Sequence, residues 1–192
     1  MKKLLVATSN PGKLREFQDL FKDIFECHAL DKNAPAVVED GKTYRANAEK
    51  KARAYFQVYK TPVLSDDSGL EIDVLNGAPG VETANFGGAN IPMQERWNLV
   101  HKAVSSFPQE TWTARFRSVL CYFDGSEVRF FEGVTEGKIV QTAIGASGFG
   151  YDPIFYSFDL KKTFAEASTA EKATVSHRAR ASQQFIKWAQ GK

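Results

Sequence analysis

Apolar residues recur along this chain with two periods, and strand-like and helix-like stretches alternate. Leu4 to Ala7 is a short apolar run, long enough for a buried strand and too short for a helix. Asn10-Pro11 follows as an N-cap with proline at the first helical position. Leu14, Phe17, Leu20, Phe21 and Ile24 then recur at helical spacing, so a strand–loop–helix opens the chain. A second helix is predicted from Thr43 to Lys60, and a third from Ile91 to Phe107. Between them lie a short strand at Val63-Leu64 and a half-exposed strand in which Leu70, Ile72 and Val74 alternate with Glu71 and Asp73, ending at Asn76-Gly77. Trp112, Ala114, Phe116, Leu120 and Tyr122 mark a long strand, which Asp124-Gly125 turns back into Val128 to Phe131 as an antiparallel hairpin. Ser168 with Glu171 reads as a capping box that starts a C-terminal helical region. Parallel-type and hairpin elements in one chain predict an α/β fold around a long mixed sheet with flanking helices. No repeat, low-complexity tract or long linker divides the chain.

Composition narrows the class. At about 150 residues per domain, 192 residues predict a single domain over 1–192, with room for two lobes. Apolar residues make up 43%, including 15 Phe, enough for a sizeable core. A net charge of +2 speaks against a basic nucleic-acid-binding footprint. The longest apolar run, Val119 to Phe123, is far below the roughly 18 residues of a membrane span. Met1-Lys2-Lys3-Leu4 begins like a signal peptide but the chain turns polar at Thr8, so a cytoplasmic protein is expected. Two cysteines, Cys27 and Cys121, form neither a disulfide framework nor a zinc motif.

Five segments could carry chemistry. Thr8-Ser9-Asn10-Pro11-Gly12-Lys13 joins a strand to a helix, where backbone N–H groups, the helix dipole and Lys13 suit an anion such as phosphate. It lacks the glycine and the Ser or Thr of a Walker A loop, and read alone it is also an ordinary capped helix start. Ser65-Asp66-Asp67-Ser68-Gly69 follows a strand, and adjacent carboxylates there suit Mg²⁺, although an Asp-rich turn has the same composition. Lys51 falls inside the apolar arc of the second helix with Asn47 one turn away. A phosphate or carboxylate would pair it; otherwise it snorkels to water. Glu39-Asp40-Gly41 is an acidic turn that could reach the same place.

Gly148-Phe149-Gly150-Tyr151-Asp152-Pro153 lets a backbone and a ring approach a flat ligand, and Phe149 could stack on a nucleobase; a core aromatic in a glycine-rich turn reads the same way. Glu171-Lys172 with Ser176-His177-Arg178 can donate to phosphates or base carbonyls, or form a solvated basic face. No Gly-x-Ser-x-Gly elbow supports a serine hydrolase.

Taken together, these stretches, with Asn47-Ala48, Lys51-Ala52 and Gly77-Ala78-Pro79-Gly80, resemble the inosine/xanthosine triphosphate pyrophosphatase family in order and spacing from residue 8 to 178. The resemblance implies two α/β lobes around a long mixed sheet, an active-site cleft between them, and a homodimer. It implies Mg²⁺-dependent hydrolysis of ITP, dITP and XTP to the monophosphate and pyrophosphate. By position, Asp67 matches the catalytic carboxylate and Glu39 its acidic metal partner. Thr8, Asn10 and Lys13 match triphosphate contacts within their loop, as do Lys51, Ser68 and Lys172. Phe149, Tyr151, Asp152, His177 and Arg178 match the base pocket, with Gly150 in the same turn. Ala46 stands where the family commonly has Glu, and Thr83-Ala84-Asn85-Phe86 where it commonly has Ser-Ala-Arg-Tyr.

The implied chemistry is physically coherent. Lys13, Lys51, Lys172 and Mg²⁺ would neutralise the triphosphate, and Asp67 would take a proton from water or hold the metal. Arg178 at the C6 edge of the base would donate to a carbonyl and oppose an amino group. A Maf-type pyrimidine nucleotide pyrophosphatase and a non-catalytic nucleotide sensor are the rival readings. The base-loop motifs speak against the first, and Glu39, Asp66 and Asp67 against the second.

Overall fold

The computed structural model describes residues 2–191, so Met1 of the signal-like stretch lies outside the described residues. In chain order the elements are β1 (Lys2–Ala7), α1 (Pro11–Phe21), β2 (Phe25–Ala29), α2 (Tyr44–Tyr59), β3 (Val63–Ile72) and α3 (Met93–Val104). They continue with β4 (Thr113–Phe123), β5 (Val128–Ile139), β6 (Phe155–Ser157), β7 (Lys162–Thr163), α4 (Thr169–Val175) and α5 (His177–Gln190). The strands form one sheet in the order β2-β1-β3-β4-β5-β6-β7. β1 runs parallel to β2 and β3, with Leu5 opposite His28 and Val63. β5, β6 and β7 pair antiparallel, with Ile139 opposite Phe155 and Tyr156 opposite Thr163. The mixed α/β sheet expected from the sequence is therefore what the chain adopts. Helices α1 and α2 are the crossovers that parallel neighbours require.

The chain divides into two compact units, one of Met1–Asp67, Ser118–Gly133 and Arg178–Lys192, the other of Ser68–Arg117 and Val134–His177. In the first unit each face of the sheet has its own core. Leu4, Val6, Leu64 and Leu120 pack with Phe17 and Phe21 of α1 and Phe185 of α5. Leu5, Ala7, Val63 and Cys121 pack with Ala48, Ala52 and Tyr55 of α2. Alternation along each strand sends odd and even residues to opposite sides, which produces these two cores. In the second unit, Phe116 packs against Phe155 and Phe164 beside Leu70, Ile72 and Val104.

Several boundaries differ from the sequence reading. The predicted loop Ser65–Gly69 is the middle of β3, which runs unbroken and is buried from Val63 to Asp67. A strand covered on both faces needs no polar alternation, and here its polar residues are satisfied by partners on the helices. Leu70 and Ile72 are fully buried rather than half-exposed, and Val74 lies in a 3-10 turn, Asp73–Leu75, beyond the strand. The first helix stops at Phe21, short of Ile24. The edge strand β2 shows one buried residue, Phe25, and so carries almost no apolar signal. β5 extends to Ile139 because its inward positions include Gly133, Thr135 and Gly137, which hydrophobic patterning does not detect. A side chain at Gly137 would lie 2.2 Å from the Tyr156 carbonyl, so the neighbouring strand excludes one.

Candidate functional site

In the first unit the loop after β1 is closed by its own side chains. Asn10 caps α1, its Oδ1 accepting from the Gly12 and Lys13 N–H groups at 2.8 and 3.2 Å, while Thr8 Oγ1 accepts from Asn10 N at 3.1 Å. Pro11 has no N–H to satisfy, and Ser9 and Pro11 are exposed. This start turns Lys13 toward β3, where its Nζ lies 2.7 Å from Asp66 Oδ2.

Asp66 and Asp67 do not share a site as adjacent carboxylates in a turn would. Because they sit in a strand, their side chains leave on opposite faces. Asp66 points to the α1/α5 side, where it accepts from Ser118 Oγ at 2.6 Å and Lys13, with Arg178 Nη2 at 3.7 Å. Arg178 also pairs with Glu16 of α1 and lies over the Phe17 ring. Burial would raise the Asp66 carboxyl, but Lys13, Arg178 and Ser118 together outweigh it and hold it well below the usual carboxylate range. Burial lowers Lys13, with Asp66 opposing. Arg178, expected at the base edge, is thus part of the first unit's ion cluster.

Asp67 points to the α2 side. Its Oδ2 accepts from Asn47 Nδ2 at 3.0 Å. Burial pushes its carboxyl up to about 6, against the charge of Lys51 and the Asn47 bond. Lys51 does not snorkel. It is 8% exposed, and its Nζ donates to Glu39 Oε2 and to the Asp66 carbonyl, both at 2.6 Å. The acidic turn before α2 therefore supplies the carboxylate partner. Glu39 pairs directly with Lys51, whose charge also acts on Asp67, and both carboxylates are oxygen ligands of the kind a hard cation takes. Among the described residues no cluster of three or more His, Cys, Asp or Glu could hold a metal by itself. Two carboxylates are a donor set that Mg²⁺ would fit, since that ion needs only one or two from the protein.

The second unit gathers the aromatic loop. Asp152 Oδ2 accepts from the Phe149 N–H at 2.9 Å and from Lys172 Nζ at 2.6 Å. Lys172 also lies 4.8 Å from the Phe149 ring centre. A Cβ at Gly148 (φ +77°) would meet Asp152 Oδ2 at 2.2 Å, so only glycine lets this carboxylate reach back under the loop. Tyr151 Oη donates to the Thr83 carbonyl at 3.0 Å, and Trp97 Nε1 to the Gly150 carbonyl at 3.0 Å. His177 stacks on Phe116, ring centres 4.9 Å apart. Lys172 is held at the capping box that the sequence announced, Ser168 and Glu171. Ser68, half-buried, begins this unit.

Sequence reasoning missed Glu16, Ser118, Thr83 and Trp97. Glu16 follows Lys13 at helical spacing, and Ser118 is an inward polar position of β4; these were the available signals. Thr83 is buried by its own bonds, its Oγ1 accepting from Leu70 N at 2.9 Å and donating to the Gly80 carbonyl at 2.5 Å. Ala46 is exposed on the first turn of α2, its N–H donating to Thr43 Oγ1.

The Ham1 family model matches residues 4–188. The chain is 41% identical over 184 residues to the dITP/XTP pyrophosphatase of Shouchella clausii, across 94% of this chain and 93% of that protein. It is 38% identical over 192 residues to the dITP/XTP pyrophosphatase of Vibrio cholerae, across 97% and 96%. Among solved structures, a HAM1 protein from Coxiella burnetii matches with a TM-score of 0.91 at 34% identity over the whole of both chains. The Ham1 protein of Staphylococcus aureus matches at 0.87 and 31%, over 99% of each.

Proposed function

The chain belongs to the Ham1 family, and on that premise we propose that it hydrolyses non-canonical purine nucleoside triphosphates, dITP, XTP and ITP, to the monophosphate and pyrophosphate. The observation that carries the reading is Asp67, a buried carboxylate raised to about 6, beside Lys51 and the loop of Glu39. A base of that strength can accept a proton from water near neutral pH, as pyrophosphate release requires.

Glu39 and Asp67 would hold Mg²⁺, which when bound supplies charge neutralisation at the phosphate oxygens. Lys51 fixes Glu39 and the backbone at Asp66, and adds positive charge there. Lys13, with Thr8, Asn10 and the rest of the Thr8–Lys13 loop, faces the phosphate chain with Ser68. Arg178 serves by holding Asp66 and Glu16, so that the α1 start keeps its place. The base stacks on Phe149, with Gly150, Tyr151, Asp152 and His177 completing its pocket, and Lys172, 4.8 Å from that ring, meets the triphosphate. The homodimer and the cytoplasmic nucleotide pool belong to this reading.

The test is turnover of dITP, XTP, ITP, ATP, GTP and dTTP with Mg²⁺ and with EDTA, in ¹⁸O-water. Monophosphate and pyrophosphate from the first three, lost in EDTA, are expected. Preference for dTTP would move the protein to the Maf-type class, and binding without turnover would make it a sensor. A mass of 21.4 kDa in solution would remove the dimer.

A further inference from the structure

Residues 30–43 join β2 to α2 without helix or strand, and three successive residues at the end of that loop are tied to α2. Glu39 meets Lys51 and Asp40 meets Lys50, each at 2.6 Å, and Gly41 N donates to Asn47 Oδ1 at 2.7 Å. Asn47 is 1% exposed, and its other end donates to Asp67. We infer that Asn47 is a positioning residue, whose single carboxamide couples the loop bearing Glu39 to the carboxylate of Asp67.

The orientation of that carboxamide follows from chemistry. Gly41 N–H can only donate, so it must face the Asn47 oxygen; the nitrogen is then the end that meets Asp67. A carboxamide is a rigid plane, so pushing its oxygen moves its nitrogen. Gly41 is where such a push would originate. A Cβ there would lie 2.5 Å from Asn47 Oδ1 and 3.0 Å from Ala46 Cβ. Real Cβ atoms essentially never sit under 3.0 Å from a neighbour, so something must shift, and the atom met first is the far end of the Asn47 side chain. Gly41 touches neither Asp67 nor, in the proposed function, any reacting atom. An effect of its substitution on the chemical step would therefore pass through Asn47.

This inference rests on Asp67 being the catalytic carboxylate. The experiment compares Gly41→Ala, Asn47→Ser and the double variant by kcat and KM for dITP with Mg²⁺, with Tm and hydrogen exchange at the Gly41 amide. Serine is too short to bridge both partners. A displaced catalytic group costs on the order of 10- to 100-fold, so Gly41→Ala should lose that much kcat while KM stays within about twofold. The double variant should be no slower than Asn47→Ser alone, because Gly41 acts only through Asn47. Wild-type kcat in Gly41→Ala, a rise in KM alone, or a double variant whose losses multiply would each overturn the coupling. If Gly41→Ala does not fold, Asn47→Leu carries the test: it keeps the volume but can neither accept from Gly41 nor donate to Asp67. Loss of kcat supports the coupling, and retention overturns it. Absence of wild-type turnover would defeat the proposed function instead. Faster exchange at the Gly41 amide in Asn47→Ser would then still uphold the Asn47 tie, and unchanged exchange would refute it.

Discussion

Asp66 and Asp67 are covalent neighbours whose carboxyl groups are shifted in opposite directions from the ordinary carboxylate value. Asp66 is drawn down by Lys13, Arg178 and Ser118 against its burial, while burial lifts Asp67 to about 6. Strand geometry makes this possible, because one peptide step carries a side chain from the α1/α5 core to the α2 core. One carboxylate is thereby fixed as a structural anion and the other is left basic, and the two should answer substitution in opposite ways.

Asp67→Asn should abolish dITP hydrolysis and raise stability at neutral pH. In the folded wild type Asp67 ionises near 6, but the ordinary value is 3.8. Its contribution to stability is thus present below about pH 4 and is lost as pH rises toward 6. The gain from the variant is at most about 2–3 kcal/mol, on the scale of ~1.4 kcal/mol per pH unit. Urea unfolding at pH 4 and 7.5 should show it at 7.5 only; equal stabilities at both would contradict the burial account. Wild-type kcat/KM should rise through about pH 6.

Asp66→Asn should do the reverse. Removing the anion leaves Lys13 with an uncompensated buried charge, while Arg178 keeps Glu16, so the loss is about 3 kcal/mol. The folded value of Asp66 is depressed, so its stabilisation holds above pH 4 and falls away as acid titrates it. Wild type should lose Tm steeply on acidification, and the variant should show a shallower slope. Parallel Tm profiles would rule this out.

Lys172 and Asp152 form a buried pair at 2.6 Å, with side chains 9% and 4% exposed. Lys172→Met or Asp152→Asn alone should destabilise by about 3 kcal/mol, and the double variant by clearly less than the sum. Chemical denaturation of the four proteins measures the coupling. Simple additivity would mean that the two side chains do not couple across this pair.

Lys51→Met should lower both stability and turnover. Its ammonium holds Glu39 and the Asp66 carbonyl, so an apolar replacement removes a hydrogen bond from a buried carbonyl, at about 1–3 kcal/mol. An unchanged Tm would mean that water replaces the ammonium there.

The sequence made the strand–helix opening, the Asn10 cap and the Ser168 capping box legible, because each rests on local bonds between near neighbours. The candidate site residues were legible as motifs, and Asn47 and Lys51 stood out by helical spacing. The turn of Glu39 was legible as a partner for Lys51, but the partners of Asp66 and Asp67 were not. Whether Asp66 meets Lys13 and Arg178, or Asp67 meets Asn47, depends on reading Ser65–Gly69 as strand, and its polar composition points to a turn. The division of work between the two carboxylates followed from that one assignment. β2 and the second half of β5 escaped notice because an exposed edge and inward Gly and Thr leave no apolar period.

The hydrogen bond from Trp97 to the Gly150 carbonyl also gives the protein an optical reporter. Trp97 and Trp112 pack in the core of the second unit, whereas Trp188 lies among Phe185, Tyr122 and Phe131 in the first. A Trp188→Phe variant would confine indole emission to the second unit. In that variant, a base settling on Phe149 would disturb the backbone at Gly150, and the Trp97 spectrum would register occupancy without any turnover.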